Sequence, residues 1–203
     1  MQRSAHTHTA WVGLGLALAA LMATSACVPV IMGGAATVGL AAAQERTVGD
    51  AVDDTAIGLR VKDGFLAFNS NLFAKVSVDV VEGRVLLTGV VPAPQDRVDA
   101  VRIAWQVPGV KEVLNELQVN NKTSIADYFS DVRISTELRY RMVADTTISE
   151  INYNIDTVNA TIYLIGIAQN QAELDRVTNY ARSIKGVKQV VSHVRLKDDP
   201  RRG

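Results

Sequence analysis

The chain has 203 residues, 48% of them apolar, enough to build a packed core without metals or disulfides. Lysine and arginine total 21, as do aspartate and glutamate, so the molecule as a whole has no net field to draw in nucleic acid, and an anionic partner must meet a local patch. The single cysteine excludes an intramolecular disulfide.

From the N-terminus, Arg3 precedes an apolar run from Trp11 to Ala23. That run falls short of the roughly 20 residues a bilayer-spanning helix needs. Residues 1–26 therefore read as an export signal. Thr24, Ser25 and Ala26 then lead to Cys27, and the stretch from Leu21 to Cys27 resembles the lipobox of bacterial lipoproteins, with Thr24 where that pattern prefers an aliphatic residue. The resemblance implies cleavage before Cys27 and acyl chains on it. With Val28 next instead of an aspartate, it also implies sorting to the outer membrane, facing the periplasm. The residues alone also allow an ordinary cleaved signal with Cys27 incidental. Residues 27–48, rich in Ala, Gly, Val and Thr, read as a flexible tether.

The rest of the chain repeats itself. The stretch from Val76 to Gly89 recurs seventy-seven residues later from Tyr153 to Gly166, and the same offset lays Pro108–Val113 on Lys185–Val190. Each copy reads as helix, strand, strand, helix, strand. The first helix carries Ile57 and Val61 in copy one, and Ile134, Leu138 and Met142 in copy two. Val76, Val78 and Val80 alternate as a half-buried strand. A turn at Glu82-Gly83 returns the chain through Val85 and Leu87. Pro92 and Pro94 open the second helix, whose inner face is Ala100, Ala104 and Val107 in copy one and Val177, Ala181 and Ile184 in copy two. Val113, Leu117 and Val119 share one face of the last strand, as do Val190, Val194 and Leu196. The expected fold is α+β: two tandem αββαβ domains, each a three-stranded mixed sheet with two helices on one face. The domains span 49–120 and 125–197, with a linker at 121–124 and a charged, frayed tail at 198–203.

The hairpin ending in Gly83-Arg84-Val85-Leu86-Leu87-Thr88-Gly89, followed by the segment from Pro108 to Val119, resembles the BON domain. With the lipobox and the stretch from Arg46 to Asp54, the whole chain resembles the dual-BON outer-membrane lipoproteins. Copy two departs at Ala160, where a turn glycine is usual, and at Ser192, opposite Asn115 of copy one. The resemblance implies a non-enzymatic protein associated with phospholipid membranes and envelope integrity.

Little points to catalysis. His193 alternates with Val194 on the last strand and reads as outward-facing. Asp53-Asp54 reads as a pair of acids favoured by a helix N-terminus. No metal, no cofactor and no nucleophile–base set is expected. Two surface stripes remain. On the first helix of copy two, Phe129, Arg133 and Tyr140 lie away from the core stripe, flanked by Arg139 and Arg141. Aromatic and basic residues together suit an anionic phospholipid surface; the alternative is Phe129 tucked under a loop with solvated arginines. On the second helix of copy one, Val98, Val101 and Trp105 add an apolar face where copy two has Asp175, Thr178 and Arg182. This predicts an interdomain contact or an envelope protein partner, and the alternative is a wider core face. The oligomeric state is left open.

Overall fold

The computed structural model of the chain describes residues 45–120 and 124–202. The export signal, Cys27, most of the tether and linker residues 121–123 lie outside the described residues.

Copy one runs α1 (Val48–Phe68), α2 (Ser70–Lys75), β1 (Val76–Val81), β2 (Arg84–Val91), α3 (Pro94–Trp105), β3 (Glu112–Asn115) and β4 (Gln118–Val119). Copy two runs α4 (Ile125–Ala144), a 3₁₀ turn (Glu150–Asn152), β5 (Tyr153–Val158), β6 (Thr161–Ala168), α5 (Gln171–Ser183) and β7 (Gln189–Leu196). In both, the middle strand pairs antiparallel with the strand before it and parallel with the last. The sheets are thus mixed, as expected. The last strand of copy one is broken: β3 and β4 each pair with β2, and Glu116 and Leu117 interrupt the run that β7 keeps whole. The short helix α2, capped by the Asn69 side chain on the Asn71 amide at 2.8 Å, carries no stripe long enough to be legible in the sequence.

The long helices begin alike. Thr47 with Asp50, and Ser124 with Asp127, form reciprocal capping boxes at repeat-equivalent positions. Each helix buries one stripe on its own sheet: Ile57, Val61 and Phe65 in α1, Ile134, Leu138 and Met142 in α4. A second repeat-equivalent pair ties helix to hairpin. Asp54 accepts the amides of Glu82 and Gly83, both at 2.8 Å, and Asp131 accepts those of Asn159 and Ala160, both at 2.7 Å. Asp54, read from the sequence as a helix-dipole acid, is buried and also holds Arg46 at 2.7 Å. Two amides pointing the same way need an acceptor, and a carboxylate fits both.

Those turns have positive φ at both central residues: Glu82 and Gly83 in copy one, Asn159 and Ala160 in copy two. For alanine at φ 65° the left-handed region costs on the order of 1 kcal/mol. Ala160→Gly is therefore expected to stabilise the chain by about 0.5–1 kcal/mol, read from the urea midpoint at unchanged slope. A midpoint that falls would mean the buried alanine methyl outweighs the strain.

The strands face apolar side chains both ways. Toward the helices β2 presents Val85, Leu87 and Val91, and β6 presents Ile162, Leu164 and Ala168. On the opposite faces Val81, Leu86, Val158, Tyr163, Ile165 and Ile167 form one cluster drawn from both copies, with Val90, Leu114 and Val191 at its margin. The two sheets therefore pack on each other, helices outward. Around this seam Arg84 Nη2 donates to the His193 carbonyl at 2.9 Å and Gln118 Nε2 to the Tyr163 hydroxyl at 3.1 Å. His193 does not point to solvent: its Nε2 meets Glu116 of copy one at 2.9 Å.

Both ends of the described chain are fixed across the same seam. Glu45, assigned to the tether, donates its amide to Asn152 at 2.9 Å and pairs with Lys197 at 2.7 Å. Arg202, assigned to a frayed tail, grips Glu82 and the Glu45 carbonyl, each at 2.8 Å. Periodicity could not show either, since both rest on isolated contacts between residues far apart in the chain.

Candidate functional site

Helix α4 buries one stripe and leaves the opposite one bare. Phe129 is 66% exposed and Tyr140 73%. Ile125, Val132 and Val143 are exposed beside them, and at about 100° per residue these five fall within an arc of about 80°. Tyr128, about 40° beyond that arc, meets the Phe129 ring edge-on at 5.9 Å between centroids. The stripe runs about 27 Å along the helix. Ile125, Tyr128, Val132 and Val143 lie outside the expected set, which rests on aromatics interleaved with cations. The signal was present as apolar residues recurring every seven and eleven positions.

The arginines behave differently from the aromatics. Arg133 Nη1 meets Glu137 at 3.1 Å and its Nη2 the Lys185 carbonyl at 2.7 Å. Arg141 meets the same Glu137 and the Ser183 hydroxyl, and Arg139 meets Glu150. Arg133 and Arg141 thus tie α4 to the end of α5, on one flank of the stripe, and Arg139 lies on the other. The structure brings Phe129 and Tyr140 onto one surface and commits the three cations to local partners.

Tyr128 also lines a groove of about 800 Å³ between the copies, with Lys62, Lys75, Val78 and Val90 on one wall and Asp131 and Val158 on the other. Nearby, Asp79 of β1 and Asp156 of β5, repeat-equivalent residues, both project into the seam. Burial, with the charge of Asp156 added, pushes the Asp79 carboxyl up to about 6; Arg139 opposes this. Asp156 is raised too, chiefly by burial, against hydrogen bonds from the Thr88 hydroxyl and the Thr157 amide.

The second predicted stripe separates. Val98 is 58% exposed and Trp105 52%, but Val101 packs against the core of copy one. The stripe does not form the contact between the copies, which the two sheets make. The physical reason is that β2 and β6 are apolar on both faces, and a sheet with two apolar faces needs two covers. Beside Trp105, the Arg102 guanidinium lies over the exposed Phe68 ring, 5.3 Å from its centroid.

Among the described residues no helix is long and apolar enough to cross a membrane. Also among them, no group of three or more His, Cys, Asp or Glu residues could hold a metal ion.

Comparison with known proteins agrees with this two-copy architecture. A protein of Anaplasma centrale from the gshII 5′ region is 44% identical over 147 residues, covering 72% of this chain and 96% of that one. The outer membrane lipoprotein DolP of Haemophilus influenzae is 30% identical over 188 residues, 91% of this chain and 96% of that one. The osmotically-inducible protein Y of Escherichia coli is 28% identical over 152 residues, 74% of this chain and 76% of that one. The BON domain model matches twice, at residues 53–121 and 130–198, one match to each helix–hairpin–helix–strand unit. Two sheets of one topology at one offset, each matched by that model, place this chain in the BON family as a dual-BON protein of the DolP type.

Proposed function

We infer that the chain is a non-enzymatic, lipid-anchored protein of the bacterial envelope that touches phospholipid through the outer face of α4 and supports the integrity of the outer membrane. The observation that carries this is the bare stripe of Ile125, Phe129, Val132, Tyr140 and Val143. Aromatic residues settle at the headgroup level, and each well-buried apolar side chain adds about 1.5–3 kcal/mol. The arginines flank the stripe and add attraction to anionic headgroups, reduced because each already has a partner. Acyl chains on Cys27 would make this a two-point attachment, in which the anchor raises the local concentration of the α4 face at the bilayer. The outer membrane, on its periplasmic side, is the site proposed for it, in keeping with the similarity to an outer membrane lipoprotein.

The test is co-sedimentation of a soluble chain starting at Glu45, which retains the Glu45 and Arg46 contacts, with anionic and with zwitterionic vesicles. Anionic vesicles are expected to bind, Phe129→Asp to weaken binding at least tenfold, and Arg133→Glu to weaken it less. Trp105→Asp is expected to leave it unchanged. Equal sedimentation of the native chain and Phe129→Asp would remove the α4 face from the reading. A second reading, a protein adaptor docking an envelope partner on the Trp105 side, is favoured by the exposure of Phe68, Val98 and Trp105.

A further inference from the structure

At one end of the seam between the sheets, two arginines share one carboxylate. Glu112 Oε2 accepts from Arg84 Nε at 2.9 Å and from Arg195 Nη2 at 3.0 Å. The remaining forks are partly used: Arg84 Nη2 donates to the His193 carbonyl and Arg195 Nη1 to the Arg201 carbonyl, both at 2.9 Å. Arg84 Nη1 and Arg195 Nε are left without an acceptor, although both are buried. Arg84 as a whole is only 5% exposed. A buried donor without a partner destabilises the folded chain, and more so when it belongs to a charged group. Two of them, on adjacent guanidiniums of the same cluster, are a feature that chain packing alone does not explain.

Charge points the same way. Arg84, Lys111, Arg195 and Arg201 line a cavity of about 350 Å³ whose acidic lining is Glu82 and Glu112. Glu82 is already taken by Arg202 at 2.8 Å, and Glu112 is divided between two guanidiniums. Burial pushes the Arg84 guanidinium down, and Arg195 and Arg201 push it the same way, against the Glu112 hydrogen bond. Arg201 is itself held by Asp199 at 2.6 Å, so with Arg202 included five cations stand around the cavity against three carboxylates, and spare planar donors remain.

We propose that this cavity binds a phosphate group, as a phosphate ester small enough for the space. Guanidinium forks match tetrahedral oxyanions, and Lys111 supplies a mobile point charge at the rim. The spare donors belong to side chains that already line the cavity. Copy two has no equivalent, because Thr161 and Gln189 stand where copy one has Arg84 and Glu112. The site is thus a product of the seam and not of the repeat. It is separate from the α4 face.

The experiment is isothermal titration of the full chain, purified in non-ionic detergent, with inorganic phosphate and with glycerol 3-phosphate at constant ionic strength. Saturable binding is expected, weakened at least fivefold in Lys111→Gln, an exposed change that leaves the fold intact, and further in Arg195→Gln. No saturable binding, or isotherms unchanged in both variants, overturns the proposal. Vesicles of phosphatidylglycerol distinguish the source: weaker vesicle binding by Lys111→Gln assigns a lipid headgroup, and unchanged vesicle binding with weakened phosphate binding assigns a soluble phosphate ester. Phe129→Asp keeps phosphate binding whatever its effect on vesicles, so failure of the α4 reading and failure of this one are told apart.

Discussion

Gly166→Ala is expected to cost on the order of 4 kcal/mol, a large part of the 5–15 kcal/mol by which a domain is usually stable. A Cβ at Gly166 would stand 2.2 Å from the Asn152 carbonyl oxygen and 3.0 Å from the Tyr153 Cα. The obstacle is backbone at the head of the paired strand β5, which cannot move without breaking the β5–β6 ladder. Gly89, its equivalent, faces the Lys75 carbonyl oxygen at 2.1 Å and has φ +125°, so Gly89→Ala is expected to be as damaging. Gly58 is the control. Its added Cβ would meet the Val80 side chain at 3.6 Å, ordinary contact, and it lies within α1. Gly58→Ala is expected to gain about 0.5–1 kcal/mol through helix propensity. Urea unfolding of the three variants decides the matter; a Gly166→Ala chain within 1 kcal/mol of the native one would show that strand and hairpin slide freely there.

The second large effect is electrostatic. Asp79 has its carboxyl raised from 3.8 to about 6, mostly by burial and then by Asp156. An acid whose folded pKa lies above its unfolded value penalises the folded chain once ionised. The penalty is absent below the unfolded pKa, grows as pH rises through the window from about 4 to 6, and is complete above it. A shift of this size corresponds to about 3 kcal/mol at 1.36 kcal/mol per pH unit, and about 2 kcal/mol after allowing for partial solvent access. Asp79→Asn is therefore expected to stabilise the chain by about 2 kcal/mol at pH 8 and by nothing measurable near pH 3.5. The difference between the two urea midpoints as a function of pH is the measurement. Parallel curves across the range would mean that Asp79 is solvated in the folded chain.

The first prediction concerns a close backbone approach inside each copy and the second a buried charge at the seam, and local reading of the sequence reaches neither. The helix stripes, the alternating strands, the hairpin turns and the seventy-seven-residue offset were all legible, because each follows from periodicity or from turn chemistry within a short window. Even the second apolar face of β2 and β6 was written in Leu86, Val90, Tyr163, Ile165 and Ile167. What covers that face was not written, since period-2 patterning says that a side is buried and not by what. Trp105, with Val98 and Val101, was expected to meet the other domain or a partner protein; the contact between the copies is made by the sheets.

The sequence by itself determined the two-copy αββαβ plan and the core stripes, and its single cysteine excludes an intramolecular disulfide. Each depends on residues close together in the chain or on a fixed repeat. Tertiary structure decided the rest. It set Asp54 and Asp131 under the hairpin turns, paired the arginines of α4 and left its aromatics bare. It also gathered Arg84, Glu112 and Arg195 at one end of the seam. Those outcomes depend on groups up to about a hundred residues apart meeting across packed surfaces. No spacing rule encodes such a meeting, because hydrogen bonding and charge pairing are chosen only after hydrophobic burial has fixed which surfaces touch.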